Sequence, residues 1–329
     1  MAKVKYGPEN PDITYLPHNH EEHLFNTGEI MMNYVEVGTS DKPALLLIGG
    51  QQASWWVYEH VLEPLTQHFQ VYAIDLHGLG RSTRTPERYT LDNIGDDLVR
   101  FIAYAIKRPV VVSGHSSGGV IAAWLSAYAL PGMIRGAFYQ DPPLFSLEQA
   151  PPVGPSMPQT SSAKLLGLYS KYLGDQWSVG DWEGLIGTLR EVLPEHIFNA
   201  FIRNPEEPGQ NFKEYDPEWA RACMTGSFTA SCNHAQMLSQ VKCPVLFTYH
   251  DYTSDKRNPE WERIGMLEQI KLVEKLIKDT GQPITVLSFP DLGHSMHFQK
   301  PELFISTIVD WEKTLPSEEE VKQNGVFSS

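Results

Sequence analysis

Residues 111–120 read VVSGHSSGGV, and within them Gly114-His115-Ser116-Ser117-Gly118 has the spacing G-x-S-x-G. The apolar run VVV precedes this stretch, and a helix-like one, GVIAAWLSAYAL (119–130), follows. A sharp strand-to-helix turn strains its central residue, and flanking glycines relieve the crowding. Such a turn lifts the central Oγ above the sheet edge with a helix N-terminus behind it, where the dipole favours developing negative charge. Ser116 holds that central place and is the candidate nucleophile. Ser113 falls at the strand end. Ser117, just inside the helix, can offer its backbone N–H to an oxyanion. The bland alternative is a Ser/Gly-rich turn that only caps a helix, because serine is a preferred N-cap.

A serine hydroxyl is a weak nucleophile without a base. GHSMH (293–297), after the strand-like ITVLSFPD, supplies one. A histidine at the carboxyl end of the last strand, followed by a closing helix, shares a sheet edge with Ser116. His294, directly after Gly293, is the candidate base, and His297, one helical turn on, is assigned a structural role.

The elements that must position these groups alternate in type. IMMNYVEVG (30–38), ALLLIGG (44–50), VYAIDLHG (71–78), VVVSGH (110–115), GAFYQDPP (136–143), PVLFTYHD (244–251) and ITVLSFPD (284–291) read as strands. Continuous apolar strands imply burial on both faces, as in a parallel sheet. Helical patterns over 90–106, 119–130, 265–280 and 301–315 fall between them, which gives βαβ units and a doubly wound sheet. Catalytic loops in such sheets gather at the carboxyl ends of the strands. From 144 to 241 the alternation stops. AKLLGLYSKYL, WEGLIGTLREVL, EHIFNAFIR and PEWARACM read as helices of an inserted cap. The expected division is a core of 1–143 and 242–329 around a cap of 144–241. Residues 1–20 form a surface arm and 316–329 a fraying tail.

Composition narrows the function. The chain has 329 residues, 41% hydrophobic and 11% aromatic, enough for a sizeable core. Its net charge of −14 argues against nucleic acid and an anionic membrane as partners. Three cysteines (Cys223, Cys232 and Cys243) lack CxxC spacing, so neither a disulfide framework nor a zinc site is expected and the cytoplasm is the default location. No secretory h-region and no run of about 18 apolar residues is visible. His18, His20 and His23 superficially suggest a metal cluster, but their Pro/Asn/Glu-rich setting reads as a solvated surface stretch. HGLGRS follows a strand but lacks the dinucleotide pattern G-x-G-x-x-G.

With these residues in place, the chain resembles the α/β-hydrolase superfamily over roughly residues 25–315. DLHGLGRS (75–82), GHSSG at the turn and PDLGHSMHFQKPELF (290–304) carry the resemblance. It implies an α/β-hydrolase fold with an inserted helical cap, and a Ser-His-acid triad in which Ser116 attacks and His294 shuttles the proton. Most of the family carries the acid two residues beyond the position of Asp251. Here that residue is Thr253, without a carboxylate, and Asp251 and Asp255 lie off register. Haloalkane dehalogenases and fungal zearalenone lactonases place the acid one strand earlier. Asp141, 25 residues after Ser116, fits that arrangement and is preferred over Asp255 and Asp251. Its alternative role is to cap the entry to the insertion before Pro142 and Pro143. The family's usual His-Gly after the third strand is replaced by LLLIGGQQASWW, so the Gln51 backbone N–H is expected to join that of Ser117 in the oxyanion hole. The Gln51 side chain either adds a donor or gates the cap. A lipase HGGG is absent, which weighs against long-chain lipids.

The resemblance implies a serine hydrolase that cleaves a carboxylic ester or lactone through an acyl-enzyme, with no cofactor or metal. Serine at 116 separates it from haloalkane dehalogenases and epoxide hydrolases, which carry an aspartate there. The GGQ motif and long cap most resemble bacterial zearalenone lactonases and point to an aromatic macrolactone. A generic aryl or carboxyl esterase and a C–C hydrolase of β-diketones use the same triad. A non-catalytic ligand receptor on this fold is the alternative from another class. Gly50, Trp55, Trp56, Trp177, Trp182 and Trp219 are the candidate substrate-contacting residues, with core packing the equal alternative for Trp55 and Trp56. The aromatic-rich insertion suits a hydrophobic substrate. The resemblance allows a homo-oligomer.

Overall fold

Leu45, Leu46, Leu47 and Ile48 alternate between two faces of one sheet, and helices cover both faces, so all four are fully buried. Leu46 and Ile48 join Val110, Val112, Ala137 and Tyr139 in one core layer. Leu45 and Leu47 join Val111, Phe138 and Leu246 in the other. The computed structural model describes residues 16–160, 162–174, 180–193, 195, 198, 202, 204–250, 260–323 and 325–328.

The strands are β1 (Glu22–Asn26), β2 (Met31–Val37), β3 (Ala44–Ile48), β4 (Gln70–Ile74), β5 (Val110–His115), β6 (Ile134–Gln140), β7 (Val245–Tyr249) and β8 (Ile284–Ser288). Their order in the sheet is β1-β2-β4-β3-β5-β6-β7-β8. β2 runs antiparallel to both β1 and β4. From β4 through β8 every pairing is parallel. This is the α/β-hydrolase fold, and all seven expected strands are present. β1 is an addition. EHLFN is short and only half-buried at the sheet edge, so it lacks the continuous apolar signal of its neighbours.

The helix Ser117–Tyr128 begins on the residue after Ser116 and is buried from Ser117 to Ala127. Leu91–Phe101 is capped by the Thr90 hydroxyl and continues as a π-helical turn, Ile102–Ile106, that stops at left-handed Lys107. Glu260–Asp279 and Pro301–Glu312 match the other two expected helices. A helix at Glu59–Leu65 was not anticipated. Between β6 and β7 the described residues form helices and no strand. These are Ser162–Tyr172, Trp182–Val192, Gln210–Lys213, Glu218–Thr225 and His234–Leu238. Much of EHIFNAFIR lies outside the described residues.

Two expectations are corrected. The tail does not fray over residues 316–323 and 325–328. Ser317 and Glu320 form a capping box on the helix Glu318–Lys322, Arg135 donates to the Pro316 carbonyl, and Val326 N–H donates to Pro131 O at 2.9 Å. Nor is the histidine stretch simply solvated. His18 meets Glu59 at 2.9 Å and stacks on Trp56 at 5.7 Å. Both segments carry polar residues that the fold engages through specific hydrogen bonds, which composition does not register.

Candidate active site

The carboxyl ends of five adjacent strands, β3, β5, β6, β7 and β8, supply the site. At the end of β5, Ser116 has φ 56° and ψ −126°, a conformation that costs on the order of 1–3 kcal/mol for a residue with a Cβ. Neighbouring main chain holds it there: Ser116 N–H donates to Gln140 O at 2.9 Å, and its own carbonyl accepts from Gly119 at 2.8 Å. A Cβ on Gly118 would stand 2.5 Å from the Ile48 and Gly49 carbonyl oxygens, so only glycine lets the helix close on β3. Ser117 is the first residue of that helix, where an N–H has no intrahelical acceptor.

The chain leaving β3 touches the nucleophile. A Cβ on Gly50 would lie 2.7 Å from Ser116 Cβ and 3.3 Å from its Oγ. Gln51 follows at once, and its side chain is engaged elsewhere. Its Oε1 accepts from the Tyr215 hydroxyl at 2.6 Å and its Nε2 points at Cys223 Sγ, 3.4 Å away. Both partners belong to the segment inserted between β6 and β7.

At the end of β6, Asp141 adopts φ 44° and its N–H donates to Thr248 O at 2.9 Å. Its Oδ2 lies 2.6 Å from His294 Nδ1, and its Oδ1 accepts from His250 N–H at 3.1 Å. A carboxylate only accepts, so His294 donates from Nδ1, which leaves Nε2 as the ring's basic position. The carboxylate is 8% exposed and the imidazole 45%, an acid shielded from water beside a base that reaches it. The runners-up, Asp251 and Asp255, lie outside the described residues.

More histidines surround this pair. His115 Nε2 meets the His294 carbonyl at 2.9 Å, and the two rings are 4.5 Å apart. His250 Nδ1 meets the Gly293 carbonyl at 2.5 Å. Burial, first among the causes, depresses the affinity of both His115 and His250 for a proton. His297 packs on Tyr58 at 4.5 Å and is pushed down to about 3 by burial, in keeping with a structural role. Neither His115 nor His250 was singled out from sequence, though one lies inside the serine motif and the other ends a strand.

The tryptophans divide differently from expectation. Trp55 is fully buried in the core and donates to Glu22 at 2.7 Å. Trp219 is buried, stacks on Tyr89 at 5.0 Å and donates to His77 O at 2.6 Å, joining the insertion to the core. Trp182 is buried against Phe212 and bonds Pro205 O. In all three the ring is enclosed and the indole N–H is satisfied by protein, so each serves as a packing anchor. Trp56 is half-buried and donates to Glu214 at 2.8 Å. Trp177 lies outside the described residues.

Glu214 is buried, and it also accepts from Ser54 and Gln210. Burial, and then the nearby Asp75, raise it to about 8. Asp75 accepts from Trp55 N–H, Asn33 and Arg81 N–H, and burial raises it to about 7. All three cysteines are buried free thiols that burial pushes up to about 12. Among the described residues no group of three or more His, Cys, Asp or Glu is placed to hold a metal ion. Among the same residues no helix is long and apolar enough to cross a membrane.

A serine raised on a strained elbow and an imidazole paired with a buried carboxylate, both at the carboxyl edge of a mostly parallel sheet, define a class of hydrolytic enzymes. The chain belongs to the alpha/beta hydrolase family, whose model matches residues 45–307. Epoxide hydrolase 4 from Mus musculus is 34% identical over 107 residues, 32% of this chain and 30% of that protein, so the match spans under a third of the relative. A putative lipase from Acinetobacter baumannii superposes with TM-score 0.62 at 21% identity, covering 90% of this chain and 91% of that one. A putative aryl esterase from Burkholderia cenocepacia gives TM-score 0.62 at 20% identity, covering 89% and 98%. These two solved structures share the fold.

Proposed function

We propose that the protein hydrolyses a carboxylic ester or lactone through an acyl-enzyme on Ser116. The observation that carries this reading is the 2.6 Å contact between His294 Nδ1 and the buried Asp141 carboxylate, on a histidine whose carbonyl is held by the residue preceding Ser116. Ser116 Oγ attacks the carbonyl carbon while its proton passes to His294 Nε2. Asp141 keeps the imidazole in the needed tautomer and stabilises its cation. The N–H groups of Gln51 and Ser117 receive the oxyanion, a contribution of about 3 kcal/mol for one such donor. The leaving alkoxide takes the proton from His294. Water, deprotonated by His294, then releases the carboxylic acid and restores Ser116. With a lactone both products remain one hydroxy acid.

Within this class we propose a hydrophobic aromatic lactone, with zearalenone as the first compound to try. The support is the GGQ motif and the long helical insertion. Relatives named epoxide hydrolases put an epoxide in the same panel. A serine at the elbow, which would leave an ether rather than a hydrolysable ester on opening an oxirane, favours the acyl reading.

The test is labelling with a fluorophosphonate, with the adduct mapped by mass spectrometry, alongside hydrolysis of p-nitrophenyl acetate, zearalenone, aryl esters, β-diketones and styrene oxide. The adduct is expected on Ser116. Ser116→Ala should lower ester turnover by about 10⁴-fold or more. An adduct elsewhere, or tight ligand binding with no turnover, would replace the enzyme with another reading, the second outcome with a receptor.

A further inference from the structure

Asp141 ends β6 and His294 follows β8, and β7 lies between those strands. The acid and the base must therefore meet across the end of an intervening strand. That end is His250. Its backbone N–H binds Asp141 Oδ1, and its ring binds the carbonyl of Gly293, the residue before His294. One residue thus joins the acid to the segment that carries the base. From the opposite side, His115 at the end of β5 binds the carbonyl of His294 itself.

A carbonyl oxygen can only accept, so His250 carries its proton on Nδ1 and His115 on Nε2. Both rings are neutral donors. His250 Nε2 is buried and meets no hydrogen-bonding group among the described residues, which is tolerable for a bare lone pair and costly for an added N–H. The same loop is tied at a third point, where Gly293 N–H donates to Gln299 Oε1 at 2.8 Å. The groups facing the two rings are Asp141 from β6, His294 and His297 from the segment after β8, and Phe289.

We propose that His250 and His115 are positioning residues whose imidazole N–H groups clamp the consecutive main-chain carbonyls of Gly293 and His294 and so hold the His294 ring on Asp141. Neither ring touches the reacting atoms. Their effect runs through the orientation of one backbone segment, where an error of about 1 Å can cost on the order of a hundredfold in rate. The proposal rests on the Ser116–His294–Asp141 reading, and its first test needs no substrate.

The experiment exploits the different reach of two amides. Asparagine presents its amide nitrogen near the position of Nδ1, and glutamine near that of Nε2. His250→Leu and His115→Leu remove the donors, whereas His250→Asn and His115→Gln restore them. In free enzyme, the proton shared by His294 Nδ1 and Asp141 should give a far-downfield NMR resonance. It is expected in the parent and in both amide variants, and lost or broadened in both leucine variants. With p-nitrophenyl acetate, kcat should fall about 10- to 100-fold in the leucine variants with KM changed less than about threefold, and the amides should recover most of the loss. Circular dichroism confirms that each variant is folded. A folded His250→Leu that keeps the resonance, or a His250→Asn as impaired as His250→Leu, overturns the clamp. If the resonance behaves as expected but no ester is cleaved, the clamp stands and the hydrolase reading fails.

Discussion

The two halves of the site are held from opposite directions. The acid–base half is fixed from within the core: His115 and His250, both strand-end residues, bind the segment carrying His294, and β6 and β7 hold Asp141. The half proposed to hold the oxyanion is fixed from the insertion. In the loop after β3, Gln51 bonds Tyr215 and Cys223, while Ser54 and Trp56 both bond Glu214. Strand ends in a close-packed sheet have almost no freedom, so the acid and the two histidines that bind the His294 segment are set once the sheet forms. The loop after β3 keeps these contacts only while the segment from Gln210 to Cys223 stays docked. The Asp141–His294 pair is thus built into the core, and the loop proposed to hold the oxyanion is braced by a separate element.

The largest effect should come from breaking the core half. Asp141→Asn preserves size and removes the charge that stabilises the imidazolium, and kcat for an activated ester is expected to fall about 10³- to 10⁴-fold. Asp255→Asn serves as the contrast and should change kcat by less than about threefold. The reverse ranking, measured by steady-state kinetics on both variants, would move the acid to the end of β7 and dissolve the core half as described.

A smaller loss should follow from breaking the other half. Tyr215→Phe deletes only the hydroxyl that binds Gln51 Oε1 and leaves a buried acceptor with one partner fewer. A neutral hydrogen bond of this kind contributes about 1 kcal/mol, or about fivefold in rate. If the insertion positions the oxyanion loop, the loss should appear in kcat while the downfield His294 resonance stays in place. Loss of that resonance in Tyr215→Phe would mean that the halves are not separately held.

The same division explains what could be read from the sequence. Ser116 and Asp141 were accessible because each follows an apolar run whose burial fixes it as a strand of the sheet, and His294 because it lies in the segment that follows the last strand, Ile284–Ser288. Once the strands are known, so is the edge to which these residues belong. His250 sits at such an end too. It passed unnoticed because its importance arises from β7 lying between β6 and β8, a fact of strand order rather than local pattern. The tryptophans were left undecided for a related reason. Trp55 and Trp219 carry the same composition signal whether a ring faces a ligand or a core, and only the packed structure, with each indole N–H already bonded to Glu22 or His77, decides. The insertion's grip on the oxyanion loop spans more than 150 residues of sequence, as in the Glu214–Ser54 and Tyr215–Gln51 contacts, and no periodicity reports it.

The docking of the insertion should also depend on pH, through Glu214. Its ordinary value of 4.5 is raised to about 8 in the folded protein by burial and by Asp75. The folded state therefore keeps a proton that the unfolded chain releases. The stability this group contributes is whole below about pH 4.5 and is lost as pH rises through about 8, where ionisation would set a second carboxylate beside Asp75 without water to screen it. Glu214→Gln keeps an oxygen for Ser54 and Trp56 and cannot ionise. Its amide nitrogen faces Gln210, which can turn to offer its own oxygen. Between about pH 5 and pH 9 the melting temperature of the parent should fall a few degrees further than that of Glu214→Gln, by differential scanning calorimetry. Parallel curves would show that Glu214 does not titrate with folding. A variant less stable than the parent by the same margin at every pH would show that the carboxylate itself, rather than its proton, holds the insertion to the oxyanion loop.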